Sequence, residues 1–255
     1  MRGKKVFISG TGKGIGRGIA RVFAKAGAEL ILHYRSCPEE AASLLRELES
    51  LGASAEMIRA DLSVLDDLNR VFDHIQQKWG KLDAAVNNAG WDPGCVSPEE
   101  ITEEMYYKLS DMNIKGTLFC CLREFELMKE GGSIINIGSV QMNTTVPGRV
   151  LYAASKGAIH SISGALALDG GPRGIRVNTI APGYIAVERM TTGPDFNEEQ
   201  VKNGIPVHRI GVPEDIGELA LFLASEKSGF ISGETIVADG GVNRKLARFS
   251  QGGKL

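Results

Sequence analysis

A chain of 255 residues with 43% hydrophobic content can bury one large continuous core, and its composition excludes a disordered polymer. The 29 Lys and Arg nearly balance 31 Asp and Glu, for a formal charge of -2, so no electrostatic case exists for a nucleic-acid partner and a small-molecule substrate is expected. Four cysteines without a CxxC pair and four histidines without clustered spacing predict no metal site, and free thiols that suit a reducing cytoplasm.

Met1-Arg-Gly-Lys-Lys5 is basic but leads directly into a strand-like run, with neither the apolar region of a signal peptide nor the length of a membrane helix. Val6-Phe-Ile-Ser9 predicts the first strand, followed by a helix over about 15–26. Glu29-Leu-Ile-Leu32 and Glu56-Met-Ile-Arg59 follow, separated by a helix at about 38–51, and a further helix at about 64–79 leads to Ala84-Ala-Val86. One long helix is predicted over about 101–129, then Ser133-Ile-Ile-Asn-Ile137 and a helix at about 151–169. Arg176-Val-Asn-Thr-Ile180, a helix at about 213–224 and Thr235-Ile-Val-Ala238 complete the series. Most of the short runs are continuously apolar, as strands buried on both faces must be. Their alternation with helices implies parallel pairing with right-handed crossovers, and the absence of a linker places residues 1–255 in a single α/β domain. The longest irregular stretch, about 182–212, holds Pro182, Gly183, Gly193, Pro194, Gly204 and Pro206, and its length predicts a substrate lid.

At the first strand-to-helix turn stands Ser9-Gly10-Thr-Gly-Lys13-Gly14-Ile15-Gly16. Gly10 permits the tight turn, Gly14 lets backbone approach a pyrophosphate and Gly16 allows close helix packing, while the helix N-terminus offers N–H groups and positive potential. No GK[ST] follows, so a triphosphate P-loop is disfavoured. The second strand ends in His33-Tyr34-Arg35-Ser36, without the acid that would hold adenosine ribose hydroxyls. Arg35 and Ser36, with Lys13, can pair with a 2′-phosphate, so NADP is favoured and NAD stays possible. Asp61-Leu62 follows the third strand, where adenine would lie; Asp61 can accept from its amino group, or introduce the next helix alongside Ser63 as N-cap. Tyr152 and Lys156, four residues apart on a helix, share one face. A phenol with an ordinary pKa of about 10 handles protons poorly at neutral pH unless a nearby cation favours phenolate, so beside Lys156 it can be acid or base.

Asn87-Asn88-Ala89-Gly90 after the fourth strand, Asn113-Ile-Lys-Gly116 within the long helix, and Ser139 thirteen residues before Tyr152 complete a set. In this order and spacing it resembles the classical short-chain dehydrogenase/reductase family, from the glycine loop to Gly233-Glu-Thr-Ile-Val-Ala-Asp-Gly-Gly241. The resemblance implies a Rossmann fold, a doubly wound seven-stranded parallel sheet with helices on both faces, and a homotetramer joined through the helices bearing Asn113 and Tyr152. It also implies an NAD(P)-dependent oxidoreductase that interconverts a secondary alcohol and a carbonyl. Ser139 would polarise the substrate oxygen, Tyr152 would exchange its proton, Lys156 would hold the nicotinamide ribose and lower the tyrosine pKa, and Asn113 would support a water chain to solvent. Asn88 would contact the adenosine-side ribose and Ile185 the nicotinamide carboxamide. Two departures from the family stand out. Val187 occupies the usual Thr position after Pro182-Gly183, so cofactor binding is expected to lean on the Ile185 backbone, or on Thr191 or Thr192 if the lid folds over. Asp169-Gly170-Gly171 ends the catalytic helix with glycines, so that end is expected to fray.

The same resemblance places Trp91, Asp92, Gln141, Met142, Asn143, Arg149, Glu188 and Arg189 around the substrate, polar groups that suit a sugar, polyol or other small polar hydroxy compound. A 3-oxoacyl-(acyl-carrier-protein) reductase is the alternative, with Arg244, Lys245 and Arg248 as a basic patch for the carrier. A non-catalytic NADP-binding regulator would show degraded catalytic positions, yet Asn113, Ser139, Tyr152 and Lys156 are all present. His160, four residues after Lys156, reads as a packing or interface residue.

Overall fold

The computed structural model describes residues 1–129, 131–192 and 196–244. Lys245 and Arg248 of the basic tail, Gly193 and Pro194 of the expected lid and the side chain of Arg189 lie outside the described residues. Strands β1 (Lys5–Ile8), β2 (Glu29–Tyr34), β3 (Ala55–Arg59), β4 (Ala84–Asn87), β5 (Gly132–Ile137), β6 (Ile175–Pro182) and β7 (Thr235–Ala238) fall where the short apolar runs place them. They form one parallel sheet in the order β3-β2-β1-β4-β5-β6-β7. The order reverses between β1 and β4, where Ile8 pairs with both Leu32 and Val86, so the loops leaving these strands diverge and open a crevice.

Helices α1 (Gly14–Lys25), α2 (Pro38–Ser50), α3 (Leu65–Trp79), α4 (Glu103–Ser110), α5 (Gly116–Leu127), α6 (Val150–Gly170), α7 (Glu188–Thr191), α8 (Glu198–Gly204) and α9 (Pro213–Ala224) follow in chain order. The pleat of β1 shows why both faces need cover. Val6 and Ile8 bury against Ile19 and Phe23 of α1, Leu44 of α2 and Ile216 of α9, whereas Phe7 points to the other core, with Val71 and Phe72 of α3 and Phe125 of α5. Cys120 and Cys121 are buried in this second core, and all four cysteines are free. Among the described residues no helix is long and apolar enough to cross a membrane.

Three segments depart from expectation. The single helix over 101–129 is interrupted by a π turn at Asp111–Lys115, because Asn113 is buried there and spends its amide on groups outside the helix. The stretch 182–212 contains α7 and α8, the latter opened by Asn197, whose side chain accepts from the Gln200 N–H at 3.0 Å. Finally, α6 runs one residue beyond the expected 169, through Gly170, whose absent Cβ lets the helix approach the Ile175 carbonyl; a Cβ there would come within 2.7 Å of it.

Candidate active site

A cavity of about 480 Å³ opens at the carboxyl ends of the central strands, lined among others by Gly10, Gly14, Asn88, Ser139, Tyr152 and Lys156. Its floor is the β1–α1 turn. Gly10 and Gly14 have φ of +70° and +58°, a left-handed region that L side chains rarely adopt, and a Cβ on Gly10 would come within 2.8 Å of Ala89 Cα. On Gly16 it would overlap the Gly10 carbonyl oxygen. Ser9 and Asn88 tie this turn to the loop after β4. Ser9 Oγ accepts from the N–H groups of Asn88 and Ala89, both at 3.0 Å, and Asn88 Nδ2 donates to the carbonyls of Ser9 (3.1 Å) and Gly10 (2.9 Å). His33 braces the other side: its Nδ1 accepts from the Gly10 N–H at 3.2 Å, which leaves Nε2–H to donate to the Ala60 carbonyl at 3.0 Å. Because α1 has no acidic residue in its first turn, its N-terminal field meets the cavity uncancelled. A bare backbone floor with Ile15 beside it fits a dinucleotide pyrophosphate.

At the edge of this cleft the 2′-phosphate candidates sit in a charged loop. Lys13 Nζ is 2.7 Å from Glu40 Oε1, and Arg35 Nη1 is 3.8 Å from Asp61 Oδ2. Ser36 is exposed beside Cys37. A third cation joins them that the sequence reading did not single out: Arg59, across the sheet from Tyr34, donates through Nε to the Arg35 carbonyl at 3.2 Å. Its position at the end of β3, opposite the end of β2, was the available signal. Asp61 Oδ1 accepts from the N–H and Oγ of Ser63 at 3.0 and 2.6 Å, and the N-cap of α3 is Val64 rather than Ser63. Leu62 is 1% exposed, its side chain packed in the core, so only its backbone is left to meet a ligand.

The four catalytic candidates converge from different elements. Ser139 leaves β5 and caps a short turn, its Oγ accepting from the Gln141 N–H at 3.2 Å. Tyr152 and Lys156 lie on α6, with Lys156 Nζ 5.6 Å from the centre of the Tyr152 ring. The buried ammonium donates to the Ile137 carbonyl at 2.8 Å, which holds the side chain beneath the cavity. Asn113 makes a reciprocal pair with the Trp91 backbone: Oδ1 accepts from its N–H at 2.7 Å and Nδ2 donates to its carbonyl at 2.9 Å. The same Nδ2 donates to Ser155 Oγ at 3.1 Å, joining the π turn to α6. Gly90 leaves the space between them, since a Cβ there would stand 3.3 Å from Asn113 Oδ1 and 3.8 Å from Lys156 Nζ.

Beyond the catalytic candidates Trp91, Asp92, Val187, Glu188 and Met190 also line the cavity, so part of the segment after Gly183 forms one of its walls. Gln141 and Arg149 stand behind Asp92. Arg149 forks onto Asp92 (Nη1 to Oδ1 2.8 Å, Nη2 to Oδ2 2.9 Å), its Nε donates to Gln141 Oε1 at 3.0 Å, and its Cζ lies 4.5 Å from the Tyr152 ring centre. Thr191 and Thr192 donate to the Val187 and Glu188 carbonyls at 3.4 and 2.8 Å, so both hydroxyls serve the short helix α7. Ile185 is buried and paired through its strand-like backbone with Gly211. His160 is exposed, with Nδ1 2.8 Å from Thr235 Oγ1. A larger open concavity of about 1170 Å³ lies at the opposite, amino ends of the strands and holds none of these groups.

A doubly wound parallel sheet with a glycine-floored crevice at its switch point is the architecture of Rossmann-type oxidoreductases. The sequence matches the family model described as enoyl-(acyl carrier protein) reductase over residues 10–243. An uncharacterized oxidoreductase of Methylorubrum extorquens is 36% identical over 246 residues, covering 95% of this chain and 98% of that protein. A short-chain dehydrogenase/reductase from Serratia marcescens is structurally similar with a TM-score of 0.88 at 29% identity, covering 94% of this chain and 98% of its own. A gluconate 5-dehydrogenase from Burkholderia cenocepacia, solved in complex with NADP and tartrate, gives 0.88 and 29% over 96% of this chain and 97% of its own. The chain belongs to the short-chain dehydrogenase/reductase family. It is an oxidoreductase of that family, whose members bind a nicotinamide cofactor.

Proposed function

We propose that the protein interconverts a secondary alcohol and a carbonyl on a small polar hydroxy compound, a sugar or polyol, with NADP(H) as cofactor and Tyr152 as general acid/base. The observation that carries this reading is the convergence of Ser139, Tyr152 and Lys156 on one cavity whose floor is the glycine turn. Nicotinamide, when bound, supplies or accepts the hydride. The chain's own work is orientation and proton management. Ser139 Oγ holds the substrate oxygen, Tyr152 gives that oxygen a proton or takes one from it, and Lys156 favours the phenolate. Asn113 fixes the Trp91 backbone and α6 together, so the proton path from Lys156 towards solvent keeps its geometry. Asn88 would contact the adenosine-side ribose and Ile185 the nicotinamide carboxamide, and the 182–212 segment would exclude water. Four catalytic groups brought to one place argue against a merely regulatory protein.

NADP preference is supported by Lys13, Arg35 and Arg59 around Ser36 and by the lack of an acid at the end of β2. The similar gluconate 5-dehydrogenase, with its NADP and tartrate, supports the cofactor and a polyhydroxy substrate alike. A second reading, reduction of a 3-oxoacyl group on a carrier protein, draws on the description of the matched family. A cytoplasmic homotetramer is proposed on the exposed Tyr106 and Tyr107 of α4, Leu122 of α5 and Val150 of α6, apolar surface on the helices named for assembly.

The test is Tyr152→Phe, assayed with NADPH and NADP⁺ against sugars, polyols, keto acids and 3-oxoacyl thioesters. Loss of about 10³-fold in kcat, with cofactor binding and melting temperature preserved, is expected. Full activity in the variant would dismiss Tyr152 as the proton-transfer group, and turnover confined to acyl thioesters would select the second reading.

A further inference from the structure

Tyr152 meets two cations, not one. Lys156 comes from one turn further along α6, and Arg149 stacks its guanidinium on the phenol ring, 4.5 Å from the ring centre. The guanidinium has no freedom to move away, because Asp92 takes both Nη groups and Gln141 takes Nε. This fork draws together the loop after β4, the turn after β5 and the entry to α6, three segments that share nothing in sequence. Both charged side chains are largely buried, at 8% and 13% exposure, so water screens them weakly. Arg149 is held against the ring, and Asp92 and Tyr152 both line the cavity.

We propose that Arg149 and Asp92 form a balanced charge pair that tunes the acidity of Tyr152, Arg149 favouring phenolate and Asp92 moderating it. Arg149 is thereby a positioning residue rather than a catalytic one. This rests on the reading of Tyr152 as the proton-transfer group, and it goes beyond the Ser, Tyr, Lys and Asn set. Other charged or titratable groups face the ring region from each neighbouring element. Lys156 comes from α6, Lys108 from α4 stacks on Trp91 at 4.5 Å, Cys95 lies beside Arg149 in the loop after β4, and Glu188 of α7 lines the cavity. None of them is altered in the test, so they form a constant background.

The prediction is one of opposite signs. Asp92→Asn keeps the side-chain size and one of the two acceptors for Arg149 but leaves the cation unbalanced, and the apparent pKa of Tyr152 is expected to fall by about one unit. Arg149→Gln leaves the carboxylate unbalanced and is expected to raise it by about one unit or more. Asp92→Asn with Arg149→Gln removes both charges and returns the value to between the two. The direct readout is ultraviolet titration of tyrosinate in the whole protein without cofactor, with the Tyr152→Phe curve subtracted to cancel the other tyrosines. The acid limb of the kcat/KM profile should move in step. A purely structural clamp would lower melting temperature and activity in both variants but would not split the titrations in opposite directions. Shifts of the same sign, or none, overturn the proposal. Should Arg149→Gln fail to fold, Asp92→Asn alone decides, since an unmoved or raised value contradicts it. Retained activity in Tyr152→Phe would instead strike the catalytic reading, while the titrations still report on the pair.

Discussion

At the glycine-turn end of the cleft the walls are built from backbone: glycines at positive φ, helix N–H groups and a neutral histidine bracing the turn. At the end around Tyr152 they are held by side chains that reach one another across the fold, with Asp92, Gln141 and Arg149 forming a single fork beside Tyr152. The two constructions obey different constraints. A backbone site is fixed by conformations that only certain residues allow, so it is written locally in the sequence. A side-chain network depends on which loops the sheet brings together, so it changes readily while the fold stays the same.

The strongest way to disturb the first construction without touching a glycine is acid. Burial pushes the pKa of His33 down to about 4, below the ordinary value of 6.5 for an exposed imidazole. Above pH 6.5 both folded and unfolded chains hold it neutral, and stability is insensitive to this group. As pH falls towards 4 the unfolded chain takes up the proton first, so stability drops, by about 3 kcal/mol over the window. Protonation would also turn Nδ1 from acceptor to donor and set it against the Gly10 N–H. Urea unfolding of the wild type and His33→Gln at pH 7 and pH 4.5 measures this: other groups, buried Glu124 among them, act alike in both proteins, so on acidification the wild type should lose about 3 kcal/mol relative to the variant. Identical slopes in the two proteins would mean that the brace is unimportant.

A smaller effect is expected from Arg35, the residue proposed to add side-chain specificity to the backbone site. Arg35→Ser should weaken NADPH relative to NADH by about 30-fold, the worth of one charge-assisted phosphate contact of about 2 kcal/mol. Arg59 and Lys13 remain in the variant, so the preference should shrink rather than reverse. The ratio of KM values for the two cofactors reads it, and an NADH preference already present in the wild type would refute the assignment of this loop.

How much of this was legible in the sequence follows the same division. The five inner strands were visible because a strand buried on both faces, such as Ser133-Ile-Ile-Asn-Ile137, must be nearly continuous in apolar residues, whereas β3 and β7, only partly buried at the sheet's edges, were visible through their alternation with helices. The glycine turn, Tyr152 and Lys156 were visible because their geometry is local. The π turn at Asn113 was not, since its cause is a buried amide bonded to Trp91 and Ser155, both distant in sequence. Nor was α8, a short polar helix with little apolar periodicity to betray it, signalled chiefly by the Asn197 cap. Arg149 was picked out as a substrate group, but its pairing with Asp92, 57 residues away, is created by the sheet order and could not be read from either segment.

The smallest change tests whether the substrate end has kept a cofactor contact after losing the residue that usually makes it. Val187 lines the cavity, and its Cγ1 would lie 3.2 Å from a Cβ on Gly14, so it is a point where the segment proposed as a lid meets the glycine turn. Thr191 and Thr192 cannot replace the missing hydroxyl without giving up their bonds to the α7 backbone. Val187→Thr is nearly isosteric, so its effect is that of one hydroxyl and not of repacking. Where the cofactor supplies a partner, the gain should be about 1 kcal/mol, about fivefold in NADPH affinity. In the empty cleft the same hydroxyl has no such partner, and the melting temperature should fall slightly. Opposite signs for the bound and free protein, measured by calorimetric titration and thermal unfolding, would show that the lid reaches the cofactor through Val187. Equal affinities would place the lid's contacts elsewhere along Ile185–Met190, and would make the substitution at 187 a neutral exchange of packing.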